Sequence, residues 1–153
     1  MTAQITNDQG LREALNTLTL SQQRELGGLF VASVGHLSND PRIGRALEAA
    51  ADAGTTPQAL EESYKSVKAF ATQSYTACGS DADWAAQAEH FVAAAAAASL
   101  APEDQTGVKG NNAWKAAMQA RMAKNCEMIL NDEGGVANEA EKQYQMAQKY
   151  LGG

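Results

Sequence analysis

The chain has 153 residues and a net charge of −6, from 12 Lys and Arg and 18 Asp and Glu. A chain of this length forms one ordinary domain, and folding buries about 68–70% of the surface of the unfolded chain, which is enough for one core without disulfides or metals. The positive side chains are scattered along the chain, and this argues against a nucleic-acid partner because phosphate backbones are bound by clustered Lys and Arg.

Apolar spacing and helix-end signals predict seven helices. The first is short, over about residues 8–17, and the second extends over about residues 21–38. The second helix has the clearest amphipathic pattern, with apolar or small residues on one face at Leu26, Leu29, Phe30, Ser33, Val34 and Leu37. No segment of the sequence alternates apolar and polar residues over the length of a strand. The predicted fold class is therefore all-α, a compact helical bundle of about six or seven helices in a single domain, 1–153.

Capping signals mark the starts of the next helices. Asp40 and Thr56 are each followed by a proline, a combination that favours an N-cap and a first helical residue. The third helix should end at Gly54, where a left-handed residue after the helix is favoured. The segment 80–83 resembles a capping box, and it predicts a fifth helix that continues into the six alanines of 93–98.

The seventh predicted helix repeats the fourth at an offset of eighty residues. The matching pairs include Asp52 and Asp132, Gly54 and Gly134, Glu61 and Glu141, and Tyr64 and Tyr144. This match predicts two repeated helix triplets, with units 20–78 and 80–151. The alternative is that alanine-rich helices with glycine stops resemble one another through composition alone.

Small residues predict close contact between two helices. Six consecutive alanines give the fifth helix little side-chain bulk, which favours a central position. Gly27, Gly28 and Gly35 thin the second helix, although each interior glycine costs about 0.5–1 kcal/mol relative to alanine. We therefore expect the glycine face of the second helix to pack against the alanine face of the fifth.

The two cysteines, Cys78 and Cys126, each continue the apolar face of a predicted helix. Neither has another Cys or a His at the spacing of a zinc site. We expect two buried thiols, as is usual in a reducing compartment, and a disulfide between them is the alternative.

No motif in the sequence is typical of a catalytic, metal or phosphate site. Neither His36 nor His90 belongs to a Glu-x-x-His or His-x-x-x-His pattern, so a metal site is not predicted. Trp84, Trp114 and Met118 lie in the second half of the chain, where they form either ordinary core or an adaptable apolar pocket. These five residues are the candidates for binding a ligand, and no cofactor is named.

The lack of catalytic, metal and phosphate motifs favours a non-enzymatic protein-protein interaction or regulatory module. Such a module binds a protein partner or its own copy as a homo-oligomer. The alternative is a carrier that binds a small ligand or metal cofactor between helices. An enzyme of unknown class comes third, because perturbed titratable groups are not visible in a sequence.

The first residues lack the pattern of a secretory signal, and no run of 18 apolar residues occurs. We therefore expect a cytoplasmic protein without a membrane partner.

Overall fold

A computed structural model describes residues 4–78, 83–102, 110–131 and 138–152. Over these ranges the chain is helical and contains no strand, which confirms the all-α prediction. The helices are α1 Asp8–Leu15, α2 Leu20–Ala32, α3 Pro41–Ala51, α4 Pro57–Cys78, α5 Trp84–Leu100, α6 Asn112–Leu130 and α7 Glu139–Gly152. A 3₁₀ turn, Gly35–Leu37, lies between α2 and α3. In the described ranges, no helix is long and apolar enough to cross a membrane.

Capping side chains hold the predicted helix starts. Asp40, Thr56 and Asp83 each accept a hydrogen bond from a backbone N–H in the first turn of α3, α4 and α5, at 2.9, 3.1 and 3.0 Å. The other residues of the predicted capping box, 80–82, lie outside the described residues. The expectation of a left-handed Gly54 is wrong. The helix α3 ends because Asp52 leaves the helical region and accepts a hydrogen bond from Gly54 N at 2.8 Å.

The second helix is shorter than the apolar pattern predicted. It ends at Ala32 instead of continuing to Ser38, and the chain passes through Val34 at φ −116° and ψ 10° into the 3₁₀ turn. The apolar spacing continues because Val34 is fully buried and Leu37 packs against the core. A pattern of buried side chains therefore persisted past the point where the backbone stopped being α-helical.

The helix α5 is central, as its alanine content predicted. It packs against α2, α3, α4 and α6. The larger of two apolar clusters surrounds it, whereas a second cluster joins α1, α2, α6 and α7. The first helix thus closes one end of the bundle.

The glycines of α2 are sites of close contact, but they face two different helices. A Cβ at Gly27 would lie 3.2 Å from the Cβ of Ser99 in α5. A Cβ at Gly28 would lie 2.9 Å from the Cβ of Ala50 in α3. Gly27 thus contacts α5 at Ser99, beyond the alanine run, and its Cβ would also lie 3.5 Å from the Cβ of Ala116 in α6. The expected pairing with the alanine face is not seen at Gly28, because adjacent helical residues point about 100° apart. Gly35 belongs to the 3₁₀ turn and not to α2.

In the predicted duplication, α2, α3 and α4 correspond to α5, α6 and α7. The helix α2 packs on α3 as α5 packs on α6, and α4 packs on α5 as α7 packs on α2. The paired helices differ in length, since α4 has 22 residues and α7 has 14. The repeat of units 20–78 and 80–151 stays a prediction.

Cys126 is buried in α6 at 4% exposure, as expected. The side chain of Cys78, at the end of α4, lies outside the described residues. The predicted burial can therefore be compared with the structure for Cys126 and not for Cys78.

Asp8 joins the first helix to the last two. Its carboxylate accepts two hydrogen bonds from Arg121 of α6, at 2.8 and 3.1 Å, and one from the Tyr144 hydroxyl of α7, at 2.7 Å. The hydrogen bonds from Arg121 hold the pKa of Asp8 below its ordinary value, since they outweigh the burial that raises it. The fold therefore gains stability from Asp8 only in its ionised form.

We expect Asp8→Asn to lower the free energy of unfolding by up to about 1 kcal/mol at neutral pH, because the Asp8 side chain is 49% exposed. A folded-state pKa below the unfolded value stabilises the protein above the unfolded pKa, and this stabilisation disappears as pH falls through the folded pKa. The difference between wild type and variant should therefore shrink below about pH 4. Urea unfolding at neutral and acid pH measures the free energy of unfolding of both proteins. The control is Glu48→Gln, at an exposed position of α3. A difference that persists at acid pH would contradict this assignment.

Candidate functional site

A shallow cleft of about 440 Å³, largely open to solvent, lies between α4 and α5. This volume is in the range of about 300–1,000 Å³ that is typical of small-molecule sites. The side chains that line the cleft come from three helices and the residue that follows α5: Tyr64, Lys68, Ala71, Thr72, His90, Ala94, Ala97, Ala98, Ala101 and Lys115. We call these residues the α4/α5 cleft.

Alanines form the apolar wall of the α4/α5 cleft. Ala94, Ala97 and Ala98 are three and four residues apart, so they lie on one face of α5, and Ala101 follows the end of the helix. The other face of the same run is fully buried in the bundle, at Ala93, Ala95 and Ala96. The alanine run therefore has two functions, close packing on one face and an open wall on the other. The sequence pattern predicted only the close packing.

His90 connects the two helices across the cleft. Its Nδ1 atom lies 3.0 Å from the Ala71 carbonyl oxygen and 3.0 Å from the Ser74 hydroxyl, both in α4. Because a carbonyl oxygen only accepts hydrogen bonds, the contact with Ala71 is a hydrogen bond in the tautomer whose Nδ1 carries the proton. The histidine ring is therefore attached to the α4 backbone, and it helps to set the separation of α4 and α5.

The charged side chains of the cleft are both positive. The Nζ atom of Lys68 donates a hydrogen bond to the Tyr64 hydroxyl at 3.0 Å and lies 5.4 Å from the centre of the Tyr64 ring. Lys115 lines the cleft from α6. Among the described residues that line this cleft there is no carboxylate, although the whole chain has a net charge of −6.

His36, a sequence candidate, lies outside the α4/α5 cleft. Its side chain is 55% exposed, and its Nε2 atom lies 2.5 Å from a carboxylate oxygen of Glu127 of α6, a contact that is an ion pair when the imidazole is protonated. Burial raises the pKa of Glu127, but hydrogen bonds from Lys124 and His36 outweigh it and hold that pKa below its ordinary value. His36 also borders a second cavity of about 470 Å³. The acidic residue there, Asp40, is already bound to Arg42 by hydrogen bonds of 2.9 Å.

The other sequence candidates also lie apart from the cleft. Trp114 and Met118 pack against the second apolar cluster, where the Arg12 guanidinium lies 4.9 Å from the centre of the Trp114 ring. Trp84 is the first residue of α5 and is half-buried. Of the five candidates, the structure places only His90 in the cleft.

Sequence reasoning missed the two lysines and Tyr64 as site residues. The signal was present on α4, because Tyr64, Lys68 and Ala71 are four and seven residues apart and share a face. Lys68 is exposed beside this face, as a lysine usually is. The sequence could not predict the cleft from this face alone, because no sequence pattern pairs it with the alanines of α5.

The described ranges contain no group of three or more His, Cys, Asp or Glu side chains that could hold a metal ion. We find no match to this chain among protein-family models, curated proteins or solved structures.

Proposed function

We propose that this protein is a non-catalytic carrier that binds a small ligand in the α4/α5 cleft. The observation that carries the proposal is the cleft itself, with an apolar alanine wall and a few polar groups at defined positions. Apolar walls with a small number of placed polar groups are the common composition of small-ligand sites. The carrier, which was the alternative in the sequence analysis, thus has more structural support than the protein-binding module.

The contacts of His90 argue against catalysis by the nearest hydroxyl. Ser74 lies within hydrogen-bond distance of His90, as a nucleophile does from its base. However, the Ser74 hydroxyl donates to the Ala71 carbonyl at 3.0 Å, and in the tautomer of His90 that donates to the same carbonyl, Nδ1 carries a proton. A base must accept the proton of its nucleophile, so this pair is not arranged for that transfer. Its role in the proposal is to hold the two walls together.

We expect Ala94→Leu to remove the ligand while leaving the fold intact. Ala94 is half-buried and is the first alanine of the wall, so a leucine there extends into the cleft. Native mass spectrometry of protein expressed in its own source should show a non-protein mass on the wild type. The occupancy should fall about tenfold or more in the variant, which corresponds to about 1.4 kcal/mol.

The matched control is Ala85→Leu, the same change at an exposed position of α5. This control should retain the mass at the wild-type level. Wild-type protein that carries no ligand, or an Ala94→Leu variant with undiminished occupancy, would contradict the carrier proposal.

A protein-binding module is the second candidate, and exposed apolar side chains on α6 favour it. Met122 and Ile129 are seven residues apart on one ridge of the helix and are 44% and 51% exposed. Leu130 beside them is 52% exposed. Apolar side chains that are exposed together mark many contact sites between proteins.

In either role we infer a cytoplasmic protein, because a buried cysteine such as Cys126 is common in reducing compartments.

A further inference from the structure

We infer that the ligand of the α4/α5 cleft is an aliphatic molecule with a carbonyl group, whose oxygen accepts a hydrogen bond from the Tyr64 hydroxyl while its apolar part lies on the alanine wall. This inference rests on the proposed carrier function and adds the chemical class of the ligand. It also assigns Tyr64 as the residue that recognises this class.

The Tyr64 hydroxyl can donate a hydrogen bond to a ligand. Its oxygen accepts a hydrogen bond from the Lys68 ammonium group at 3.0 Å, and an ammonium group can only donate. The proton of the hydroxyl is therefore directed away from Lys68. A hydroxyl group that accepts from a charged donor is itself polarised, which strengthens the hydrogen bond that it donates in turn. Tyr64 thus offers a ligand a hydrogen-bond donor.

The other neutral polar side chains of the cleft are directed to the backbone of α4. The Thr72 hydroxyl donates a hydrogen bond to the Lys68 carbonyl oxygen at 3.0 Å. Nδ1 of His90 lies 3.0 Å from the Ala71 carbonyl oxygen, and in the tautomer that donates to this carbonyl the histidine proton is engaged. These donors act within the protein, so the donor that selects the ligand is the Tyr64 hydroxyl.

Burial distinguishes Tyr64 from Lys68 as the contact of the ligand. Tyr64 is half-buried and packs against the larger apolar cluster, whereas Lys68 is exposed. An exposed ammonium group is strongly hydrated and lies on a flexible side chain, so a ligand gains little by replacing its water. Packing restricts the direction of the tyrosine side chain, and less conformational entropy is lost when a ligand binds there.

A carbonyl group suits this donor better than a hydroxyl group does. A carbonyl oxygen accepts hydrogen bonds and brings no donor of its own. An alcohol brings a proton that also needs an acceptor, and the described lining of the cleft contains no carboxylate that could supply one. A donor that loses its water without gaining a partner weakens binding.

The opposite wall suits an aliphatic body. The side chains of Ala94, Ala97 and Ala98 are methyl groups, and they line the cleft over about 6 Å along α5. Methyl groups offer no hydrogen bonds, so the part of the ligand that contacts them gains by being apolar. The Tyr64 hydroxyl and the methyl wall together define a ligand with one hydrogen-bonding end and one apolar end.

The inference can be tested with 2-hexanone and 2-methyl-1-hexene, in which a methylene group replaces the carbonyl oxygen of the ketone. Both are volatile, so headspace gas chromatography over protein solutions measures the free concentration of each ligand and hence its affinity. The decisive variant is Tyr64→Phe, which keeps the ring and removes the hydroxyl. The ketone should bind this variant about fivefold more weakly than the wild type, the effect of one net hydrogen bond. The alkene should bind both proteins equally.

Three further variants provide the controls. Tyr150→Phe removes a hydroxyl from α7, where Tyr150 packs against the second apolar cluster, and it should change neither affinity. Lys68→Met removes the ammonium group and keeps a long side chain, and it should weaken the ketone less than Tyr64→Phe does. Ala94→Leu should weaken both ligands.

Each contrary result has a distinct meaning. If Tyr64→Phe changes the affinities for the ketone and the alkene by the same factor, the carbonyl inference is overturned and the carrier function stands. A loss of ketone affinity in Lys68→Met as large as in Tyr64→Phe would overturn the role of Tyr64. Binding that survives Ala94→Leu would show that the ligands bind elsewhere and would overturn the inference. If neither ligand binds the wild type, the inference is wrong, and the carrier function is judged by the retained mass alone.

Discussion

Gly28→Leu should destabilise the protein by about 3 kcal/mol or more, the upper part of the range for overpacked cores. Gly28 is buried in α2, and even a single Cβ at this position would lie 2.9 Å from the Cβ of Ala50. The atom that it meets is fixed to the backbone of α3, so it cannot swing aside as the end of a long side chain can. A leucine would force α2 and α3 apart, and both helices contact α5.

Two alanine variants make this prediction sharper. Gly44 lies in α3 and a Cβ there meets nothing within 4 Å, so Gly44→Ala should stabilise the protein by about 0.5–1 kcal/mol through helix propensity. Gly28→Ala gains the same helix propensity, but its Cβ would lie too close to the Cβ of Ala50. This variant should therefore be less stable than the wild type. Urea unfolding with a comparison of midpoints and slopes measures all three variants. A midpoint that Gly28→Leu leaves unchanged would show that α2 does not pack closely on α3.

Asn112→Ala should destabilise the protein by about 2–5 kcal/mol, because it leaves two buried carbonyl oxygens without a donor. Asn112 is fully buried at the start of α6. Its side-chain amide donates to the Ser99 and Ala101 carbonyl oxygens at 3.3 and 2.8 Å, at the end of α5. The last carbonyls of a helix have no partner within the helix. Asn112 supplies that partner from the next helix along the chain.

The control for this prediction is Asn125→Ala, on the exposed face of the same helix. It should change the free energy of unfolding by a few tenths of a kcal/mol in the stabilising direction, since alanine is the better helix former. Thermal and urea unfolding of both variants gives the comparison. Equal stability of the two variants would mean that the carbonyl oxygens at the end of α5 find other donors.

Local signals determined the secondary structure well. Asp40 and Thr56 predicted the starts of α3 and α4, because a side chain that caps a helix acts on residues two or three positions away. The run of alanines predicted a central helix, because small side chains allow neighbours to approach from several directions. The end of α2 was less well predicted, since Val34 and Leu37 are buried through tertiary contacts after the helix has ended.

The candidate site was decided by the tertiary structure. Ala94 and Ala95 are adjacent and chemically identical, yet the first lines the α4/α5 cleft and the second is fully buried. Gly27 and Gly28 likewise face different helices. The sequence by itself determined which segments are helical and which faces are apolar, because these properties depend on neighbours within one or two turns. It could not determine which face meets which helix, since that choice depends on how all the helices pack together, and the cleft exists only where two such faces fail to close.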